Sequence, residues 1–391
     1  MKKKILLMNT NFGVGGISAS MINTANELSK LYNVSIFCLD PIGVMKERLS
    51  DEITIIDSNW RLKAIVSNLG RAQKLGLKYL IYKVFARVWS MAFDNRLPIY
   101  LAIRKQKELG RFDLACSYTH EQEKHLEYTG LIRVLISKVD SPIKMSWVHC
   151  DYNFVKQAGF NNRYYNKMNA IVGVTQSVAD VFKNTHPGVH VPILTCPNML
   201  DYENLYSLAD EPIVFEFDRS GIICFSACRL SQVKGIERAI RAFGDILEKN
   251  NVYWYIAGGG SGKDSISLDI SRLKLENRVI LLGETTNPFR YMKKADLYIN
   301  VSYQEAAPLV FMEAKALHLP VFATRTLSAE ELLDNEIDYI CDNDEVAIRE
   351  AFKRATSSID ELKIRKYKLD NYVGNNDRAL GFFEQMISKN N

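Results

Sequence analysis

Two segments of this chain pair charges at spacings that suit an anionic, sugar-bearing ligand. Arg229 follows the apolar run 222–227, and Lys234 stands one residue before Gly235, where a helix begins near Ile236. Ligands of open α/β sheets bind at the carboxyl ends of the strands, so two cations there suit a diphosphate. Downstream, Ser302-Tyr303-Gln304-Glu305-Ala306-Ala307-Pro308-Leu309-Val310-Phe311-Met312-Glu313 follows a second apolar run and leads into a helix with Pro308 as its first residue. Glu305 then lies in the loop and Glu313 about one and a half turns into the helix. The unpaired N–H groups of the helix start face an anion. One carboxylate is thus placed for sugar hydroxyls and the other for a ribose, with phosphate between. Phe311, Met312, Ala314 and Ala316 around Glu313 argue against a solvated face.

A third segment, Gly13-Val14-Gly15-Gly16, joins the first strand to a helix and lets backbone approach a ligand. The dinucleotide pattern would need glycine where Ser18 stands, although Asp40 is placed as its ribose acid. Trp147-Val148-His149-Cys150-Asp151-Tyr152 ends another strand, so His149 and Asp151 point to the same kind of edge. His120 and Glu121, beyond the 114–117 run, are further candidates on that side. No cysteine or serine has a plausible base beside it, and no Asp-x-Asp pair sits in a loop near these motifs, so no metal site is expected.

The elements that must position these residues alternate as in parallel α/β architecture. Strands are expected near 4–9, 34–39, 53–56, 114–117, 145–148, 170–174 and 191–195. A second set is expected near 222–227, 252–257, 279–282, 297–301, 321–323 and 339–340. The polar stretch 201–219 separates the sets. The expected domains are 1–196 and 197–371, with 372–391 crossing back to the first through a helix over 378–387 (Leu380, Phe383, Met386).

Gly15-Gly16 after strand one, Arg229…Lys234-Gly235, Gly258-Gly259-Gly260 after a strand, and Glu305…Glu313 resemble, in order and spacing, glycosyltransferase family 4. The resemblance implies a GT-B fold of two Rossmann-like domains facing a central cleft. It implies retaining, metal-independent transfer of a hexosyl-type sugar from a nucleotide-diphosphate donor, with a UDP-sugar favoured and no other cofactor. Arg229 and Lys234 would hold the diphosphate, Glu305 the sugar hydroxyls and Glu313 the ribose. Gly15, Gly16, Gly258 and the backbone at Ala307, Pro308 and Leu309 would complete the donor site. His149 would lie beside the reacting sugar, and His120, Glu121 and Asp151 on the acceptor side. Ala306-Ala307 departs from the family's usual glycine and larger apolar residue, which bears on sugar identity. Two other readings share the fold: a non-catalytic partner subunit and a nucleotide-sugar epimerase.

The 391-residue chain carries a net charge of only +5, but the charge is concentrated. From Arg61 to Arg111 twelve bases stand against two acids, so the segment alone is +10 and the remainder −5. With large apolar and aromatic residues interleaved, and no nucleic-acid recognition module, 61–111 reads as a face for anionic lipid. A lipid-linked acceptor of surface polysaccharide synthesis would be collected there. The opening run Met1–Met8 is too short in its apolar part for a signal peptide, and seven cysteines, most of them in apolar runs, suit a reducing cytoplasm. A peripheral enzyme on the cytosolic face of a membrane is the resulting expectation.

Overall fold

The computed structural model of the chain describes residues 2–121, 123–126, 131–155, 158–217 and 221–388; the end of the polar stretch expected as a linker falls outside them. The chain divides into two compact units, Met1–Asp201 with Asn376–Asn391, and Tyr202–Asn375. The first contains β1 (Lys4–Asn9), β2 (Asn33–Cys38), β3 (Thr54–Asp57), β4 (Leu114–Ser117), β5 (Lys144–Val148), β6 (Ala170–Gly173) and β7 (Ile193–Thr195). They form one sheet in the order β3-β2-β1-β4-β5-β6-β7, and every pairing is parallel. The second contains β8 (Ile222–Ala227), β9 (Val252–Ala257), β10 (Val279–Gly283), β11 (Leu297–Asn300), β12 (Val321–Thr324) and β13 (Tyr339–Cys341). Their order is β10-β9-β8-β11-β12-β13, again all parallel.

Such strands are covered on both faces, which is why they read as unbroken apolar runs rather than alternating ones. In β1, Ile5–Met8 are fully buried, as are Ile223–Phe225 in β8. Both sheets reverse their strand order in the middle, between β1 and β4 and between β8 and β11. A crevice opens at such a switch point, outside the carboxyl ends of the two strands. The loops after β8 and β11 are those carrying Arg229, Lys234 and Glu305.

The first unit extends past residue 196 because the chain beyond it hydrogen-bonds inside that unit. Ser20 Oγ donates to Asn198 Oδ1 at 2.6 Å. The Leu200 amide donates to Asn376 Oδ1 at 3.1 Å while Asn376 Nδ2 donates to the Leu200 carbonyl at 2.8 Å. The last helix, Asp377–Ser388, packs on this unit through Ala379, Phe383 and Ile387, and Phe383 stacks on Trp147 with centroids 5.5 Å apart. Its apolar stripe thus includes Phe383 but not Leu380 and Met386, which are only partly buried.

The basic segment folds as α2 (Trp60–Val66), α3 (Leu69–Leu75), α4 (Leu77–Ala92) and α5 (Arg96–Ile103), with α1 being Gly16–Ser29 and α6 Ile132–Lys138. Asn59 and Asn68 cap α2 and α3 with their side-chain oxygens. Among the described residues no helix is long and apolar enough to cross a membrane.

Candidate functional site

In the second unit the strand-end loops are tied to each other before any ligand is considered. Gly235 adopts the left-handed conformation (φ 67°), and a Cβ there would fall 2.2 Å from the Val301 carbonyl oxygen. Only glycine lets the turn after Lys234 approach the loop after β11 so closely. The Tyr303 amide donates to the Val233 carbonyl at 2.8 Å. Arg238, on the core-facing stripe of helix Ile236–Lys249, donates to the Val301 and Asn343 carbonyls at 2.9 and 3.1 Å. Its guanidinium lies 3.7 Å from the Tyr303 ring centroid.

This scaffold sets Lys234 against Glu305. The Lys234 ammonium donates to Glu305 Oε1, and Ser302 Oγ donates to the same oxygen at 2.8 Å. Ser302 is itself buried, and its carbonyl accepts from Thr324 Oγ1 at 2.7 Å. Lys234 and Glu305 are both half-buried, so the pair is only partly screened. Arg229, on the same β8 connection, is exposed. Helix Leu309–Ala316 begins one residue later than the sequence suggests, with Pro308 as its N-cap in an extended conformation. Glu313 lies within that helix and is half-buried, among Phe311, Ala314 and Ala316, which are buried. Ala306 and Ala307 are likewise half-buried between the carboxylate and the helix start.

The glycines after β9 serve close approach. Gly258 has φ 148°, and a Cβ there would meet the Cys228 carbonyl oxygen at 1.9 Å. The Leu230 amide donates to the Gly259 carbonyl at 2.8 Å, so the loop holding Arg229 rests directly on this turn. Among the described residues no three His, Cys, Asp or Glu side chains gather as a metal-ligand set.

In the first unit, α1 starts at Gly16 with Gly15 as an extended N-cap. Asn11 Oδ1 accepts from the Gly13 amide at 2.8 Å and shapes the turn before it. His149 follows β5, its ring tilted over Tyr118 with centroids 4.8 Å apart. Burial first, and then the neighbouring His120, push its pKa down to about 3, while burial brings His120 to about 4. Both rings are therefore neutral at pH 7, and the His149 Nε2 is buried with no hydrogen-bond partner among the described residues.

Glu121 and Asp151 are placed less openly than the sequence suggests. Glu121 is buried; its Oε1 accepts from the Ile132 amide at the start of α6, at 3.1 Å, and its Oε2 lies 3.7 Å from Arg133 Nε. That carboxylate anchors the start of α6. Asp151 is also buried and caps the turn that follows it, accepting from the Asn153 amide at 3.0 Å. Asp40 is buried and paired, with Arg71 Nε and Nη2 reaching its two oxygens at 3.0 Å each.

Sequence reading missed Arg238, Ser302 and Asn343 as the parts that hold the Lys234–Glu305 pair. A cation inside the apolar stripe Ile236, Ala239, Ile240, Phe243 was the available signal for Arg238.

Two all-parallel sheets, each with a central switch point and a last helix returned to the first unit, define the class: an α/β protein of GT-B type. Residues 211–373, within the second unit, match the family model for glycosyl transferases group 1. A relative from Campylobacter jejuni, N-acetylgalactosamine-N,N'-diacetylbacillosaminyl-diphospho-undecaprenol 4-alpha-N-acetylgalactosaminyltransferase, is 30% identical over 171 residues, covering 43% of this chain and 45% of that protein. The chain spans less than half the length of the curated relatives it matches. Among solved structures, a glycosyltransferase from Rickettsia africae matches with TM-score 0.67 at 16% identity over 100% of both chains. Anabaena HepE in complex with UDP matches with TM-score 0.64 at 17% identity, over 98% of this chain and 100% of that one. These two likenesses concern the fold.

Proposed function

We propose that the protein is a retaining glycosyltransferase. It would move a hexosyl-type sugar from a nucleotide-diphosphate donor, a UDP-sugar by preference, to a glycan or lipid-linked acceptor in surface polysaccharide synthesis. The observation that carries this reading is the Lys234–Glu305–Ser302 constellation. It lies between the carboxyl ends of β8 and β11, beside the start of a helix, inside the segment that matches the group 1 model.

In this reading Arg229 and Lys234 neutralise the donor diphosphate, with the N–H groups of Ala307 and Leu309, on either side of Pro308, and the backbone at Gly258 completing the cradle. Glu305 exchanges Lys234 for sugar hydroxyls when the donor arrives, and Glu313 accepts from the ribose. In the first unit, Gly15 and Gly16 would offer backbone to a sugar nucleotide, and neutral His149 would be a hydrogen-bond partner for a reacting sugar. The acceptor oxygen forms its bond to the anomeric carbon on the face from which the diphosphate departs. The acceptor proton passes to the departing phosphate oxygen as the carbon–oxygen bond to it breaks. The protein supplies charge and position, so no metal is required.

The Campylobacter relative's name specifies a diphospho-undecaprenol acceptor, and HepE was solved with UDP, which supports the same classes of acceptor and donor here. The basic segment 61–111 supports work at an anionic membrane surface on its cytosolic side.

A panel of nucleotide sugars tests the proposal. At least one should raise the melting temperature and be hydrolysed with nucleotide release in excess chelator. Transfer should then give a product of unchanged anomeric configuration by NMR. A panel in which no nucleotide sugar binds or reacts would overturn it.

A further inference from the structure

Helix α4 presents its apolar stripe to water. Leu77, Ile81, Val84, Val88 and Met91 recur at spacings of four, three, four and three. At about 100° per residue they gather into one stripe about 80° wide. All five are between 44 and 73% exposed. The opposite side of the helix, facing the interior of the first unit, carries buried Lys83, Ala86 and Ser90. Lys83 Nζ donates to the Ile65 carbonyl at 2.6 Å. Tyr79 on that inner side and Tyr82 beside it pack edge-on against Trp60 at 5.7 and 5.6 Å, and Phe85 and Trp89 continue the aromatic row. The helix is thus already anchored by its other faces.

What borders the stripe indicates its occupant. Lys78 and Arg87 are both exposed and lie about 80–100° from the stripe's centre, one on each flank. No acidic residue occurs anywhere in α4. A second copy of the chain would therefore bring cations against cations, without the opposite charges that flank a paired helix seam. Nor is a transmembrane span available, since α4 has 16 residues and is fixed along its inner face. An anionic bilayer surface suits both features, taking the apolar side chains at the headgroup–acyl boundary and the cations at lipid phosphates.

We infer that α4 docks the protein on an anionic bilayer by lying in the plane of the interface with Leu77, Ile81, Val84, Val88 and Met91 inserted. This rests on the proposed membrane-surface reading and adds that apolar insertion, in addition to charge, carries the attachment. Eight of the segment's twelve bases are exposed (Lys74, Lys78, Arg87, Arg96, Arg104, Lys105, Lys107 and Arg111), of which Arg96 and Arg111 also face Asp94 and Asp140. Arg61, Lys63, Arg71 and Lys83 are instead engaged inside the unit. Charge and apolar contact therefore both remain for the lipid.

Flotation with phosphatidylglycerol–phosphatidylcholine vesicles tests this on the full chain. Ile81→Ser with Val88→Ser should weaken partitioning at least about tenfold at unchanged charge. Leu77→Ser with Met91→Ser, at the ends of the stripe, should do the same. Melting temperature and nucleotide release in solution should stay at the wild-type level. Wild-type partitioning by both apolar pairs, with binding lost only on Lys78→Ser and Arg87→Ser, would overturn insertion while leaving charge-driven docking intact. Failure of the wild-type protein to bind anionic vesicles at low salt would overturn the membrane reading and this inference together. A dimer in solution that Ile81→Ser and Val88→Ser dissociates would assign the face to a second copy and overturn it too. Nucleotide release without acceptor reports the transferase reading separately from all of these.

Discussion

Replacing Lys234 by alanine should separate charge neutralisation from folding. In the folded protein the Lys234 ammonium donates to Glu305 Oε1, which also accepts from Ser302 Oγ at 2.8 Å. The pair is half-buried, so its loss should cost about 1 kcal/mol of stability, or roughly 2–4 °C in a unit of this size. The cost in turnover should be much larger. A unit charge about 4 Å from a departing phosphate oxygen interacts by about 4 kcal/mol at an effective dielectric of about 20. Loss of one preorganised charge stabiliser typically removes about 10²–10³ in kcat. Nucleotide release at saturating donor, alongside a thermal melt of each variant, reads both quantities. Lys234→Arg keeps the charge but not the compact ammonium, and should recover part of the rate. A Lys234→Ala protein within threefold of wild-type kcat/KM would refute the role given to this residue. So would a rate loss matched by an equal loss of folded protein.

Three more expectations follow from the geometry. Gly235→Ala forces a Cβ to within 2.2 Å of the Val301 carbonyl oxygen at positive φ, so the melting temperature should drop by several degrees and donor affinity with it; thermal shift with and without nucleotide checks both. Because His149 and His120 are held at about 3 and about 4, below the ordinary value of 6.5, both stay neutral while the unfolded chain takes up protons. Their contribution is fully present above pH 6.5 and is lost as the pH falls toward 4, by up to about 1.4 kcal/mol per pH unit for each ring. His149→Gln should flatten a pH series of urea midpoints over that range, and an unchanged slope would contradict the assignment. Phe383→Ala removes a ring that is 1% exposed and stacked on Trp147, which should cost about 3–5 kcal/mol in chemical denaturation.

The strands were legible because parallel strands buried on both faces write themselves as apolar runs. All thirteen expected runs coincide with observed strands, with boundaries shifted by no more than two residues. The residues of the second unit's site were legible for a related reason. Arg229, Lys234 and Glu305 follow strand ends, and a strand end in this topology is a place on the molecule. What could not be read was which polar groups already had partners. Asp40 and Arg71 lie 31 residues apart, and nothing local in either segment announces their bidentate pairing. Glu121 likewise gives its carboxylate to α6 through a backbone amide, a contact that leaves no compositional trace. The exposed stripe of α4 was hidden for another reason. Periodicity tells which residues share a face, but not whether that face meets the core or the solvent.

The return of the last helix to the first unit also sets an order of events during synthesis. The surface around Trp147 and the Leu200 backbone is complete only when Asn376 and Phe383 have emerged. The ribosome must therefore make the whole of Tyr202–Asn375 first, on the order of 10–30 s at about 5–20 residues per second. During that interval the earlier-made unit lacks its final apolar cover, while the later-made one has all of its own strands. The unit begun first is finished last, and a nascent chain stalled before residue 376 should present Trp147 to chaperones.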